Sequence, residues 1–194
     1  MGTLDYYENN AKSFAKGTQE VDFSEAQNHF LKYLSPGAKI LDFGCGAGRD
    51  VKCFLQKGYE VEAVDGSREL CKIASEFTGI QVKCMLFHEL NEKEKYDGVW
   101  ACSSILHLPM EELRQVFEKI VKSLKKDGIF YTSFKYGEFS GERNGRFFTD
   151  MTEVTLSEFL KDFPEIEMEE QWITGDVRPG RGEEKWLNVI MRKR

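Results

Sequence analysis

No stretch of this 194-residue chain is apolar over the length of a membrane span; charges interrupt every hydrophobic run well short of the roughly 20 residues required. Its first residues also lack the charged-then-apolar pattern of a secretory leader. Paired cysteines are missing too. Cys45, Cys53, Cys71, Cys84 and Cys102 form no Cys-x-x-Cys pair and have no histidine at metal-ligand spacing, so no metal is expected. Four of them fall in expected core elements, where a free thiol behaves as a small hydrophobe, and a reducing cytoplasm is the expected setting. Positive charge is in deficit: 27 Lys and Arg against 33 Asp and Glu leave a formal charge of −6. That argues against duplex nucleic acid, whose binding needs many phosphate neutralisations, while leaving room for a local basic pocket. There is no internal repeat and no low-complexity tract. At 41% apolar and 31% charged residues, the composition is that of a soluble globular domain with a full core.

What is present is concentrated in Lys39–Asp50. Ile40, Leu41 and Phe43 read as a buried strand, Gly44, Gly46 and Gly48 alternate after it, and a helical pattern begins at Val51. Strand, glycine turn and helix place backbone N–H groups against a ligand, and a Cβ would block both the positive φ angles and the close approach. About 20 residues on, the apolar run Val61–Val64 delivers Asp65, where an acid can grip ribose hydroxyls. The three glycines alone fit a tight turn in any α/β protein. With the strand, the helix and Asp65, they indicate a nucleoside cofactor.

The spacing separates two cofactors. A dinucleotide site calls for Gly-x-Gly-x-x-Gly, whereas here the position after Gly48 is Arg49. Asp-x-Gly-x-Gly-x-Gly, with Asp42 leading, resembles motif I of the class I S-adenosylmethionine-dependent methyltransferases. An acid beside the glycines suits a cationic sulfonium ligand and would repel a pyrophosphate. The resemblance implies that Asp42, Gly44, Cys45, Gly46, Gly48, Arg49, Asp65, Gly66 and Ser67 surround S-adenosylmethionine, with S-adenosylhomocysteine as the product and no metal.

From Lys39 the chain alternates: strand 40–43, helix 48–57, strand 60–64, helix 67–76, strand 80–86, strand 97–102, helix 110–124 and strand 128–134. This rhythm predicts an α/β fold with a doubly wound, mostly parallel Rossmann-like sheet covered by helices on both faces, seven-stranded in the resembled family. Ser67 is expected to cap its helix, and Lys125–Gly128 to stop the helix before it. Residues 136–150 read as a loop, followed by a helix over 156–160 and strands over 165–173 and 185–192. The whole is one domain: a helical segment over 1–35, a cofactor-binding core over 36–135, and substrate-side loops and strands over 136–194. Ser24 is the expected N-cap of a helix ending before Ser35-Pro36-Gly37. In the resembled family such a segment is a lid, which makes Tyr6, Tyr7 and Phe14 candidates for covering the reacting centre; packing of the helix onto the domain is the alternative.

Three further segments bear on chemistry. At the third strand's tip the resembled family commonly has an aspartate for the adenine amino group; this chain has Leu86-Phe87, so Phe87 is expected to stack against or edge the ring while a backbone N–H reads the ring nitrogen. The fourth strand, ending Ala101-Cys102-Ser103-Ser104, resembles motif IV but lacks the Asn/Asp-Pro-Pro-Tyr of enzymes that methylate base amino groups. Ala101 and Cys102 are expected beside the transferred methyl, and His107 is the nearby group able to accept a proton near neutral pH. Finally, Phe134–Gly137, Gly145–Asp150, Asp176–Arg181 and Trp186–Val189 are similar to a small bacterial subgroup close to the methyltransferase-11/25 and tellurite-resistance-type groups, a resemblance that spans nearly the whole chain. Lys135, Arg143, Arg146, Arg178 and Arg181 suit carboxylate or phosphate, although interleaved Glu138, Glu142, Asp150 and Asp176 allow an internal ion-pair network equally well.

The expected reaction is in-line transfer of a methyl group to O, N or S of a small acceptor. His107 is the first candidate base and Tyr7 the second, while Tyr6, Lys135, Arg143 and Arg178 are expected to meet the acceptor. Two rivals remain: a module that binds the methyl donor without catalysis, and a nicotinamide-dependent oxidoreductase.

Overall fold

The computed structural model describes residues 2–178 and 180–194; Met1 and Pro179, the latter within the tail motif, lie outside the described residues. In chain order the helices are α1 Thr3–Thr18, α2 Ser24–Leu31, α3 Arg49–Gln56, α4 Arg68–Thr78, α5 Met110–Ser123 and α6 Glu153–Leu160. The strands are β1 Lys39–Phe43, β2 Glu60–Asp65, β3 Lys83–Cys84, β4 Tyr96–Ala101, β5 Leu124–Lys135, β6 Ser140–Arg143, β7 Arg146–Thr149, β8 Ile166–Gly175 and β9 Lys185–Lys193. Short 3-10 turns occupy Phe87–Glu89 and Ile105–His107.

Seven strands form one sheet in the order β3-β2-β1-β4-β5-β9-β8, parallel except for β9, which runs antiparallel to both neighbours. The order reverses between β1 and β4, so their carboxyl ends open the crevice where sheets of this kind bind ligands. Ile40, Leu41, Phe43, Val99 and Trp100 are buried, as expected of central strands covered on both faces. One side of the sheet packs Phe30 of α2 and Phe54 of α3 against Trp100 and Tyr131; the other packs Phe117 of α5 and Phe159 of α6 against Phe130. Ser67 caps α4 as its position predicts, its hydroxyl accepting from the Leu70 N–H at 3.2 Å.

The structure corrects several sequence-based boundaries. The third strand is two residues rather than 80–86, because Glu89 takes the Leu86 N–H at 2.7 Å and turns the chain into the 87–89 turn. Residues 140–149 form the β6–β7 hairpin rather than a loop. Its turn, Asn144-Gly145, has φ of 51° and 75°, the double positive that an Asn-Gly hairpin signal supplies. Ser24 is the first helical residue and Phe23 the N-cap; the Ser24 N–H is held instead by Asp22 at 2.9 Å. Lys125–Gly128 lies in an irregular start of β5, with Asp127 at φ 63°, since α5 already ends at Ser123.

Within segment 1–35, α2 shares the core of the domain. Phe30 is fully buried, and its ring packs against Trp100 at 5.2 Å and Phe54 at 5.9 Å. Gln27 reaches the buried Asp50. Phe30→Ala should therefore cost about 3–5 kcal/mol, the range for deleting a buried phenyl ring. Urea denaturation measures it, and a loss below about 1 kcal/mol would mean that α2 does not share the domain's core.

Candidate active site

The glycine turn is shaped by what it touches. Gly44 has φ +86°, and a Cβ there would lie 2.5 Å from the Ser104 Cβ, so the ends of β1 and β4 meet only because no side chain stands between them. Ser104 closes the joint by donating its hydroxyl to the Phe43 carbonyl at 2.7 Å. Gly46 has φ +54°, and a Cβ there would press on the Phe14 ring of α1 at 3.0 Å. Its N–H donates to Asp65 Oδ2 at 2.8 Å, while the Ser67 N–H donates to Oδ1 at 2.9 Å. Each carboxylate oxygen thus has one backbone donor fixing it and lone pairs left for a ligand. Burial raises Asp65 to about 6 despite these donors, and Glu8 adds to the rise.

Asp65 lines a cavity of about 830 Å³ that runs from the glycine turn to the loops of the chain's last third. That is near the upper end of the roughly 300–1,000 Å³ of ligand pockets. Gly44, Cys45, Gly46, Arg49, Gly66, Leu86, Phe87 and Cys102 line the cavity around the glycine turn and the strand tips. Asp42, Gly48, Ser67 and Ala101 stand behind the wall. Asp42 is 2% exposed with Oδ2 unpartnered, and burial, with the Asp50 carboxylate next, pushes its pKa well above the ordinary carboxylate range. Asp50 is the ionised member of that pair. Burial opposes its charge, but Arg49 forks onto it at 2.8 and 2.9 Å, Gln27 donates at 2.7 Å and Trp100 at 2.9 Å, and the net shift is downward.

On the opposite wall, α1 and the β6–β7 hairpin meet over the 105–107 turn. Tyr7 and His107 share a 2.8 Å hydrogen bond between Oη and Nε2. His107 Nδ1 lies 2.7 Å from the Phe147 carbonyl, which can only accept, so Nδ1 carries the proton and Nε2 accepts from Tyr7. Burial pulls His107 down to about 4, with the Arg146 charge adding to the effect, and burial raises Tyr7. Both groups are neutral near pH 7.

Lys135, Arg143, Arg146, Arg178 and Arg181 all line the same cavity, and most have acidic partners. Arg178 forks onto Asp176, with Nε–Oδ1 at 2.8 Å; Arg143 pairs with Asp150; Lys135 pairs with Glu184 and stands 3.8 Å from Asp176. Lys135 is nonetheless pulled down to about 8, first by burial and then, against the opposing pull of Asp176, by Arg178, Arg181 and Arg143. Tyr6 does not line the cavity; its ring lies under the Arg146 guanidinium at 4.4 Å.

Several cavity residues carry no sequence signal strong enough to single them out. Ser103 adopts φ 51°, and its N–H is held by Ser133 Oγ at 2.9 Å, which joins the tips of β4 and β5. Gln27 and Asp50 meet only through the fold. Asn144-Gly145 was available as a hairpin signal and would have placed Arg143 and Arg146 side by side.

Residues 40–128, from β1 into β5, match the family model for a methyltransferase domain. A candidate methyltransferase of Geobacillus sp. (strain WCH70) is 34% identical over 114 residues, covering 55% of this chain and 46% of that protein. This chain therefore spans about half the length of that relative. An uncharacterized methyltransferase of Staphylococcus carnosus (strain TM300) is 24% identical over 72% of this chain and 70% of its own length. Among solved structures, the 1,6-didemethyltoxoflavin-N1-methyltransferase of Burkholderia thailandensis, holding 1,6-didemethyltoxoflavin and S-adenosylhomocysteine, superposes with a TM-score of 0.77 at 22% identity. That alignment covers 97% of this chain and 84% of the other. The [4+2]-cyclase SpnF superposes at 0.74 with 15% identity, over 98% of this chain and 94% of its own. The chain thus has the class I S-adenosylmethionine-dependent methyltransferase fold, a fold whose activity has to be argued from the site.

The site fits the methyl donor: Gly44 and Gly46 leave the turn without side chains at two positions of the cavity wall, and Asp65 keeps acceptor capacity on both oxygens. Asp65→Ala should weaken S-adenosylhomocysteine binding by about 1.5–3 kcal/mol, the range for hydrogen bonds to a charged group, as read by calorimetry. Ribose hydroxyls donate to the ionised carboxylate, so binding favours the form present above about pH 6. Wild-type affinity should hold above that pH and fall as pH drops through it; the Asp65→Ala variant should lose this dependence.

Proposed function

We propose that this chain is an S-adenosylmethionine-dependent methyltransferase that moves a methyl group to O, N or S of a small, anionic acceptor, and that it works in the cytoplasm. The observation that carries the proposal is one cavity lined both by Asp65 and the glycine turn and, on the opposite wall, by Tyr7, His107 and a cluster of cations. A donor and an acceptor can meet there in line. Holding two reactants so can lower the barrier by roughly 7–11 kcal/mol.

The bound cofactor supplies a methyl group already activated on a sulfonium. Asp65 fixes the ribose, Phe87 and Leu86 border the adenine, and α1, with Phe14 over the glycine turn, keeps water out. Proton removal falls to Tyr7 and His107. The acceptor's proton passes to the Tyr7 oxygen while the Tyr7 proton passes to His107 Nε2, already aligned at 2.8 Å. A histidine near 4 is a weak base. It suits removal of the proton late, after methylation has made the acceptor's O or N strongly acidic.

His107→Ala and Tyr7→Phe should each lower kcat about 10²–10⁴-fold, the usual contribution of a positioned acid or base, with S-adenosylhomocysteine affinity within about twofold of wild type. Wild-type kcat should stay level from neutral pH down to about 5 and fall only as His107 protonates near 4. Label transfer from methyl-labelled donor into a metabolite extract tests the activity itself. Binding of S-adenosylhomocysteine without any transfer would point to a non-catalytic binding module, and binding of NADH in its place to an oxidoreductase.

A further inference from the structure

Arg146 differs from the other arginines of the cavity. Lys135, Arg143, Arg178 and Arg181 each have a carboxylate within ion-pair distance, whereas among the described residues no carboxylate pairs with Arg146. Its surroundings are aromatic: the guanidinium lies 4.4 Å from the Tyr6 ring centre, 5.1 Å from Phe148 and 5.8 Å from Tyr7. Its one polar contact is a long 3.4 Å approach of Nη1 to the Tyr7 hydroxyl, and its Nε is buried with no acceptor. Aromatic faces attract a cation but leave its N–H groups unpaired.

The hairpin makes this arrangement costly. Arg143 and Arg146 are direct cross-strand partners on either side of the Asn144-Gly145 turn, and like charges placed opposite each other destabilise a ladder. Asp150 neutralises Arg143, whose own Nε is also unpaired, but among the described residues no carboxylate neutralises Arg146.

Resting on the methyltransferase reading, we propose that the acceptor carries an anionic group, carboxylate or phosphate monoester, and that Arg146 is its seat. The anion accepts from the unpaired Nε and the adjacent Nη2, while Nη1 stays toward Tyr7. The acceptor's nucleophile is thereby placed beside the Tyr7 hydroxyl that takes its proton. Arg143 and Arg178, tied to Asp150 and Asp176, line the pocket without being the primary contact. The planar guanidinium, rather than a lysine, matches a planar or tetrahedral oxyanion through two parallel hydrogen bonds.

The test titrates benzoate, its neutral counterpart benzamide, and inorganic phosphate into the full chain saturated with S-adenosylhomocysteine, followed by NMR. Benzoate or phosphate should bind at least tenfold more tightly than benzamide, R146Q should lose that preference, and R146K should keep part of it. Phosphate binding more tightly than benzoate would assign the acceptor as a phosphate monoester, and the reverse as a carboxylate; both support the proposal. Should R146Q not fold, the Nε–H resonance of Arg146 in the wild type decides, since the anion should move it and benzamide should not. Equal binding of benzoate and benzamide without phosphate binding, an unchanged preference in folded R146Q, or a stationary Nε–H resonance would overturn the proposal and leave the methyltransferase reading standing. Failure of S-adenosylhomocysteine to bind at all would overturn both.

Discussion

The approach of Gly44 to Ser104 is the constraint on which the rest of the site depends. A Cβ at Gly44 would meet the Ser104 Cβ at 2.5 Å, a separation real atoms do not tolerate. With hydrogen there instead, the ends of β1 and β4 close together and Ser104 ties them through the Phe43 carbonyl. That joint is the point where the sheet order reverses, so it also sets where the crevice opens. The next residues fold back so that the N–H groups of Gly44 and Cys45 meet the Val64 carbonyl, at 2.9 and 3.0 Å, and the N–H of Gly46 meets Asp65. Three strand tips are therefore registered by one turn.

Around it, buried charge couples helices to sheet. Asp50 receives hydrogen bonds from α2 through Gln27, from β4 through Trp100, and from its neighbour Arg49. A buried carboxylate needs such partners, and losing one would leave the charge uncompensated. The N-terminal segment is consequently bound into the domain through α2. It reaches the cavity through α1, where Ser67 donates to Glu8 at 2.6 Å and the Phe147 N–H donates to Thr3 at 2.9 Å. The same helix that covers the glycine turn thereby contacts the hairpin carrying Arg146. The glycine turn and the hairpin thus share one wall of the cavity.

Much of the fold was legible because it depends on short-range pattern. The apolar runs of β1, β2, β4 and β5, the alternating glycines, Ser67 as a cap and the position of Asp65 are local features, each with a local physical reason. Misjudged stretches were those where a non-local or side-chain partner took over the backbone. Glu89 ended β3 early, Asp22 displaced Ser24 as the partner of the α2 start, and the hairpin signal Asn144-Gly145 lay among so many charges that the segment read as a loop.

For the site, the sequence determined the residue types: the glycine spacing with Asp65, a histidine after the fourth strand, aromatics near the start, and lysines and arginines interleaved with acids late in the chain. These follow from composition and order, which need no third dimension. Only the tertiary structure decided their state. It set Tyr7 100 positions away in sequence at 2.8 Å from His107 and fixed the histidine's tautomer through the Phe147 carbonyl. It gave Asp150 to Arg143 and Asp176 to Arg178 while leaving Arg146 among aromatic rings, with no carboxylate partner among the described residues. The reason is physical: burial and the identity of the nearest partner govern protonation and pairing, and both are properties of packing between distant segments.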